Sequence, residues 1–354
     1  MSSITAISNL ILTDCLECIS SIREKSAELQ DLDCVTLKIG ECAIRLVFYS
    51  EPLRTAILPA FQHLLSEDLP VFTVYIHNFD SAPEASNLAR LLDPPEDRNA
   101  LRLLDGPNLT CFTQDKGKVV SAIDWAHDEA YWMIRCSDDL SYLERSSPLR
   151  PLLTHWLARR GQFLVHAAAV GNSHGGVLIL GQGGSGKSTT SLVCLEAGLE
   201  YVADDHCLVE GGSNPVVNSL FSTGKLAERQ LPQFPLLYAS AMTHGRCYDE
   251  KVVLYLSRLA ALPLKRKLSL RAILVAQITG KYETELRPLS SGKAFKAISS
   301  SCALHFQSTR QDALRCFGGL VRDLPAYVLE LGTNSKSIPK IMRELLNNLE
   351  GKGS

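Results

Sequence analysis

Val177-Leu178-Ile179-Leu180-Gly181-Gln182-Gly183-Gly184-Ser185-Gly186-Lys187-Ser188-Thr189 is the stretch on which the reading of this chain turns. Four aliphatic residues in a row suit a strand buried on both faces. Residues 187–197 suit a helix that Gly198 closes from the left-handed position after its last turn. Between them, Gly181 to Ser188 fits G-x-x-x-x-G-K-[ST], and each fixed position has a physical cause. The glycines accept positive φ and leave no Cβ in the way, so successive backbone N–H groups can converge on phosphate oxygens. A helix starting at Lys187 adds unpaired N–H groups and the positive end of its dipole. Lys187 brings a full charge to the β and γ oxygens, and the Ser188 hydroxyl suits the metal ion that screens them. The expected nucleotide-binding residues are therefore Gly181, Gln182, Gly183, Gly184, Ser185, Gly186, Lys187, Ser188 and Thr189, with ATP and Mg2+ as cofactors.

Working outward, the same pattern reads as an α/β core. Phe163 to Val170 reads as one strand, Gly171 to Gly176 as a turn, and Tyr201 to Ala203 as the strand after the helix. Further strands are expected at 272–276 and 327–331, and helices near 292–298, 310–321 and 338–349. Ser147 as N-cap, Pro148 at the first helical position and Gly161 after the last turn predict a helix over 147–161. The domain boundary is placed just before it, giving an N-terminal α+β domain over 1–145 and a P-loop domain over 146–354. The N-terminal part is read as β-rich. A helix spans 4–25, and a hairpin of Val35 to Ile39 with Cys42 to Phe48 turns at Gly40-Glu41. A short helix follows Ser50 and Pro52 to about Leu65, strands lie near 71–76 and 131–134, and residues 78–110 are loops with a short helix around 85–92. No catalytic motif is visible in this half, which suggests docking of an acceptor or regulation.

Asp204 and Asp205 end the strand that follows the phosphate-loop helix. If that strand lies beside 177–180, both acids face the crevice where ligands of open α/β sheets collect. One carboxylate can hold Mg2+ and the other can accept a proton from an attacking hydroxyl. His166, inside Phe163 to Val170, sits where a hydrogen-bonded core histidine is common; its titration near neutrality allows a catalytic role as well.

Together these residues resemble the HPr kinase/phosphorylase family, whose catalytic domain reads as a histidine strand, a P-loop, a helix and Ala-Asp-Asp. His166 precedes Lys187 by 21 positions and Asp204 follows it by 17, which is the family's spacing. The likeness is specific over about residues 162 to 210. It implies a fold related to phosphoenolpyruvate carboxykinase and a kinase acting on a serine hydroxyl of a protein, able to run in reverse with inorganic phosphate. Carried over, Lys187 and Ser188 would hold phosphate and metal, Asp204 would be the general base assisted by His166, and Asp205 a metal contact. Self-association into a homo-oligomer is also implied. The family's second signature, a Glu and Arg followed by glycines, is missing: the nearest stretch, Lys225-Leu226-Ala227-Glu228-Arg229, lacks the glycines. Nor does the N-terminal part resemble the usual regulatory domain. The chain is thus more similar to the wider group of HPr-kinase-related proteins, some of which phosphorylate a serine of a peptide precursor. Glu228 and Lys251 are candidate nucleotide contacts, with surface charges as the plainer reading.

The bulk numbers narrow the classes. A chain of 354 residues favours two domains, and 45% hydrophobic with 21% charged residues is ordinary globular composition. A net charge of −2 gives no electrostatic footprint for nucleic acid, and no apolar run is long enough for a membrane. The first twenty residues lack the basic start of a secretory signal, and eleven scattered cysteines fit reduced core thiols, so a cytoplasmic location is expected. Cys15 and Cys18 recur with Ile4, Ile7, Ile11 and Ile22 at helical spacing and read as a buried helix face. The leading expectation is a kinase for a Ser/Thr hydroxyl of a protein or peptide. A small-metabolite kinase and a nucleotide-dependent switch are the alternatives.

Overall fold

The computed structural model describes residues 13–24, 33–79, 84–91, 103–114, 117–238, 246–248, 251–259, 262–302 and 309–350. The chain forms two compact units, one of residues up to Leu58 with Leu65–Leu153, the other of Pro59–Leu64 with the chain from Thr154 onward. Both mix helices with mixed sheets, so the class is α/β. Among the described residues no helix is long and apolar enough to cross a membrane.

In the first unit a helix, α1 (13–24), precedes the hairpin of β1 (Asp33–Ile39) and β2 (Cys42–Phe48). Ile39 pairs with Cys42, leaving the two-residue turn that Gly40 permits at φ 56°. There follow α2 (Glu51–Ile57), β3 (Leu65–Ser66), β4 (Phe72–Asn78), α3 (Glu84–Leu91), β5 (Leu103–Asp105), β6 (Leu109–Gln114), β7 (Val119–Asp124), β8 (Glu129–Ile134) and α4 (Tyr142–Ser146). The strands make one sheet in the order β3-β1-β2-β4-β8-β7-β6-β5. Cys15, Ile19 and Ile22 of α1 are buried with Cys111, Tyr131 and Met133, so the helix-face reading holds for the part described. Ile4, Ile7 and Ile11 lie outside the described residues. Residues 78–110 are not all loop: β5 and the start of β6 fall there, because Leu103-Leu104 and Leu109 to Phe112 pair as a hairpin that their polar neighbours disguise.

The helix expected over 147–161 is shorter. Ser147 closes α4 instead of opening the next helix, and Leu149 turns the chain with φ 57° before α5 (Arg150–Ala158). Gly161, at φ 78°, takes the left-handed position expected of it. The compact units divide within α5, between Leu153 and Thr154.

The second unit continues with β9 (Phe163–Val165), β10 (Ala168–Asn172), β11 (Gly175–Leu180), α6 (Lys187–Glu196), β12 (Glu200–Ala203), β13 (Cys207–Glu210), β14 (Val216–Ser219), β15 (Thr223–Ala227) and one turn of helix, α7 (235–238). After it come β16 (Arg246–Tyr248), β17 (Lys251–Tyr255), β18 (Lys267–Ile278), β19 (Glu285–Pro288), α8 (Ser291–Ser300), α9 (Arg310–Asp323), β20 (Ala326–Leu331) and α10 (Ser337–Glu350). The main sheet runs β12-β10-β11-β18-β14-β13-β9, with β20 also paired to β18. The expected single strand 163–170 is two strands: β9 pairs with β13, β10 with β11 and β12, and His166 stands in the break. Nor does β12 adjoin β11, since β10 lies between them. Being antiparallel to both, β10 leaves β11 and β12 running the same way. With β18 and β20 parallel to β11, four strands end at one edge, where the phosphate loop and the acid pair sit.

Alternation along β11 divides the core. Val177 and Ile179 are buried with Leu192 and Leu195 of α6 and Met342 and Leu346 of α10. Leu178 and Leu180 are buried with Ala294 and Ile298 of α8 and Phe317 of α9. Each fully buried side chain of this size contributes about 1.5–3 kcal/mol, so the strand leading into the loop is held firmly from both faces.

Candidate active site

The phosphate loop follows from its glycines. Gly181, Gly184 and Gly186 have φ of 153°, 79° and 96°. A Cβ at Gly181 would lie 2.3 Å from the Ser185 hydroxyl, and one at Gly186 would lie 2.6 Å from a Leu331 methyl. Ser185 donates its N–H to the Gln182 carbonyl at 3.1 Å, closing the turn. Its buried hydroxyl finds no hydrogen-bond partner among the described residues, an orphan polar atom in the hollow of the loop.

Gly186 is the N-cap of α6, so the N–H groups of Lys187, Ser188 and Thr189 belong to the first turn and have no helical acceptor. Lys187 is buried and folds back on the loop, with its Nζ donating to the carbonyls of Gly181 at 2.8 Å and Gln182 at 3.2 Å. Burial lowers its pKa, against the opposing pull of Asp205 and Asp204.

Asp204 and Asp205 follow β12 and divide their partners. Asp204 is 2% exposed. It accepts the Lys225 backbone N–H at 2.9 Å and lies near the Ser188 hydroxyl. Burial and the neighbouring Asp205 charge raise its pKa, more than Lys225 and Ser188 lower it. Asp205 meets His166 Nε2 at 2.8 Å, His206 Nδ1 at 3.0 Å and Lys225 Nζ at 2.5 Å. Burial opposes its ionisation, but His166 and His206 beside it, with the Lys225 charge, hold its carboxyl far below the usual range. The rings of His166 and His206 stack with centroids 5.4 Å apart, and the His166 backbone N–H donates to the Ser301 carbonyl at 2.6 Å.

The structure therefore brings together Lys187, Ser188, Asp204, Asp205 and His166, and places His166 on Asp205 where the sequence reading paired it with Asp204. Glu228 and Lys251 are exposed, and their side chains make no ion pair among the described residues. Two further residues of the site carry little signal in the sequence. His206 directly follows the acids, which was its only signal. Lys225 arrives from β15 after a loop, and a lysine inside a mostly buried strand is the one sign it gave. A cleft of about 790 Å3 opens beside the loop, lined by Gly181 to Ser185, the end of β18, α8 and His166.

No family model matches the chain, and no curated protein matches it. Among solved structures it is similar to the Hpr(Ser) kinase/phosphatase from Coxiella burnetii. The match has 11% identity and a TM-score of 0.31, covering 53% of this chain and 97% of that one. A likeness at that level carries no weight, so the case for function rests on the site itself.

The residues fit the expected groups. The open glycine turn, the orphan Ser185 hydroxyl and the Lys187 ammonium suit a triphosphate. Ser188 and Asp204 offer two hard oxygens near one another, which suits Mg2+ shared with phosphates and water. Among the described residues no group of three or more His, Cys, Asp or Glu side chains could hold a metal alone.

Proposed function

We propose that this chain is an ATP- and Mg2+-dependent kinase of the phosphoenolpyruvate-carboxykinase-like P-loop type that phosphorylates a serine or threonine hydroxyl of a protein or peptide. The observation that supports the reading is the clustering at one sheet edge of the glycine loop, whose carbonyls hold the Lys187 ammonium, with Asp204 and with Asp205, which pairs with His166 at 2.8 Å.

The hydrogen bonds suggest how the two acids share the work. Asp204, buried and near Ser188, would hold the metal, whose charge would offset the cost of that burial. Asp205 is engaged by His166 and Lys225, with His206 within ion-pair distance, so it suits the task of orienting His166 and stabilising it as an imidazolium. In this arrangement the acceptor hydroxyl gives its proton to His166 as its oxygen bonds phosphorus. The bond to the leaving diphosphate breaks, and ADP departs with that electron pair. This assignment moves the metal from Asp205 to Asp204 and the base from Asp204 to His166, compared with what the family resemblance implies.

The test is incubation of the full chain with γ-labelled ATP, Mg2+ and either serine peptides or a protein lysate. Label on peptide or protein hydroxyls supports the reading. Label confined to small metabolites would transfer it to a metabolite kinase, and label released only to water would replace it with a nucleotide-driven switch.

A further inference from the structure

Helix α8 carries a feature that the phosphate loop does not account for. It packs Ala294 and Ile298 inward against Leu178 and Leu180, on the face of β11 opposite to α6. Lys187 and the first turn of α6 serve phosphate from one side, while α8 reaches the same cleft from the other. There it presents Lys293 and Lys296, both exposed and both lining the cleft with the loop and His166.

Two local costs accompany these lysines. At i and i+3 they are neighbours of like charge on the helix surface. Lys293 also sits in the first turn of α8, a turn with no acidic residue, where the dipole disfavours a cation. Neither lysine has an ion-pair partner among the described residues, whereas Lys265 and Lys281 of the same unit each reach a carboxylate. Among the described residues no carboxylate lines the cleft.

The spacing relative to His166 is readable. Ser301, which accepts the His166 backbone N–H, is the C-cap of α8. Counting back along the helix at about 1.5 Å per residue, Lys296 lies ~7 Å and Lys293 ~12 Å from that point. An extended peptide advances about 3.3 Å per residue, so the two lysines fall level with positions roughly two and four residues from a hydroxyl presented to His166.

We propose that Lys293 and Lys296 form an acceptor subsite, and that this kinase selects serine or threonine flanked by Asp or Glu about two to four residues away. The inference rests on the phosphotransfer reading above and deepens it.

The experiment uses the full chain, γ-labelled ATP and two degenerate serine-peptide libraries, one with Asp/Glu and one with Lys/Arg fixed at the second and fourth positions on either side of the serine. Wild type is expected to label the acidic library about ten-fold faster, the yield of two partly exposed ion pairs. In K293M/K296M the ratio should fall to within about two-fold, and in K293E/K296E it should invert. Binding of a fluorescent ATP analogue should change by less than about two-fold in both variants, since the loop supplies the nucleotide contacts. Equal labelling of the libraries by wild type overturns the proposal. So does loss of analogue binding in the variants with the peptide preference intact, which would assign the lysines to the nucleotide. If neither library is labelled while the analogue still binds, the phosphotransfer reading itself fails, and the subsite falls with it.

Discussion

Lys225 touches both acids at once, giving its backbone N–H to Asp204 at 2.9 Å and its ammonium to Asp205 at 2.5 Å. With its side chain 9% exposed, it is a buried cation between two buried or half-buried carboxylates. Lys225→Met leaves that charge uncompensated, and breaking a buried pair costs on the order of 3 kcal/mol. Urea unfolding at pH 7 should show a loss of that size. The loss should shrink in acid, where the carboxylates protonate; a loss independent of pH would mean that packing, and not charge, is what Lys225 supplies.

Lys187→Met should act on the ligand and spare the fold. Among the described residues the ammonium bonds to carbonyls of its own loop, and its burial, only partly offset by the charges of Asp205 and Asp204, is a cost to the free protein. Nucleotide affinity should fall by about a hundred-fold or more, the loss of a charge-assisted phosphate contact plus the helix-end charge, with stability within about 1 kcal/mol of wild type. Titration with an ATP analogue and a denaturant curve on the same preparation decide it.

The two acids should separate in kinetics. Asp205→Asn removes the anion that orients His166, so kcat should drop by about 10^2 to 10^4 with analogue affinity preserved. Asp204→Asn should instead raise the Mg2+ concentration needed for half-maximal rate and recover part of its activity when Mg2+ is abundant. The opposite pattern, a kcat defect in Asp204→Asn that Mg2+ does not relieve, would return the base role to Asp204.

How much of this was legible beforehand differs from one element to the next. The loop and α6 were readable because Gly181 to Ser188 is a local code in which each backbone demand is met by a residue type. Asp204 and Asp205 were readable as a pair but not by role, since that depends on which partners the β12 turn brings near. His166 was read inside one strand, yet the chain leaves β9 at one end of the sheet and enters β10 near the other, an exchange that no periodicity in Phe163 to Val170 announces. Lys225 was invisible because its contact with the acids spans about twenty residues and depends on β15 pairing with β17.

Two glycines of the loop should respond differently to the same change. Gly186→Ala places a Cβ at φ 96°, 2.6 Å from a Leu331 methyl; that methyl can shift, but the left-handed backbone costs about 1–2 kcal/mol for an L residue. Gly183→Ala meets nothing within 4 Å and has no positive φ. The first variant should lose stability and analogue binding together. The second should keep its stability, so any loss of binding there measures crowding of the phosphate alone.

His77 gives a stability prediction away from the site. Its ring stacks on Tyr49 with centroids 3.8 Å apart, and neither ring nitrogen has a hydrogen-bond partner among the described residues. Burial pushes its pKa down to about 4, whereas an unfolded histidine titrates near 6.5. Between those values the unfolded chain binds a proton that the native one does not. Stability of the first unit is therefore complete above about pH 6.5 and falls with pH toward 4, by up to about 1.4 kcal/mol per pH unit. His77→Phe keeps a stacked aromatic ring and removes two orphan nitrogens, so it should be no less stable at pH 7. Its denaturation midpoint should also fall less between pH 7 and pH 5 than that of wild type. An unchanged pH slope in the variant would mean that other groups carry the acid sensitivity of this unit.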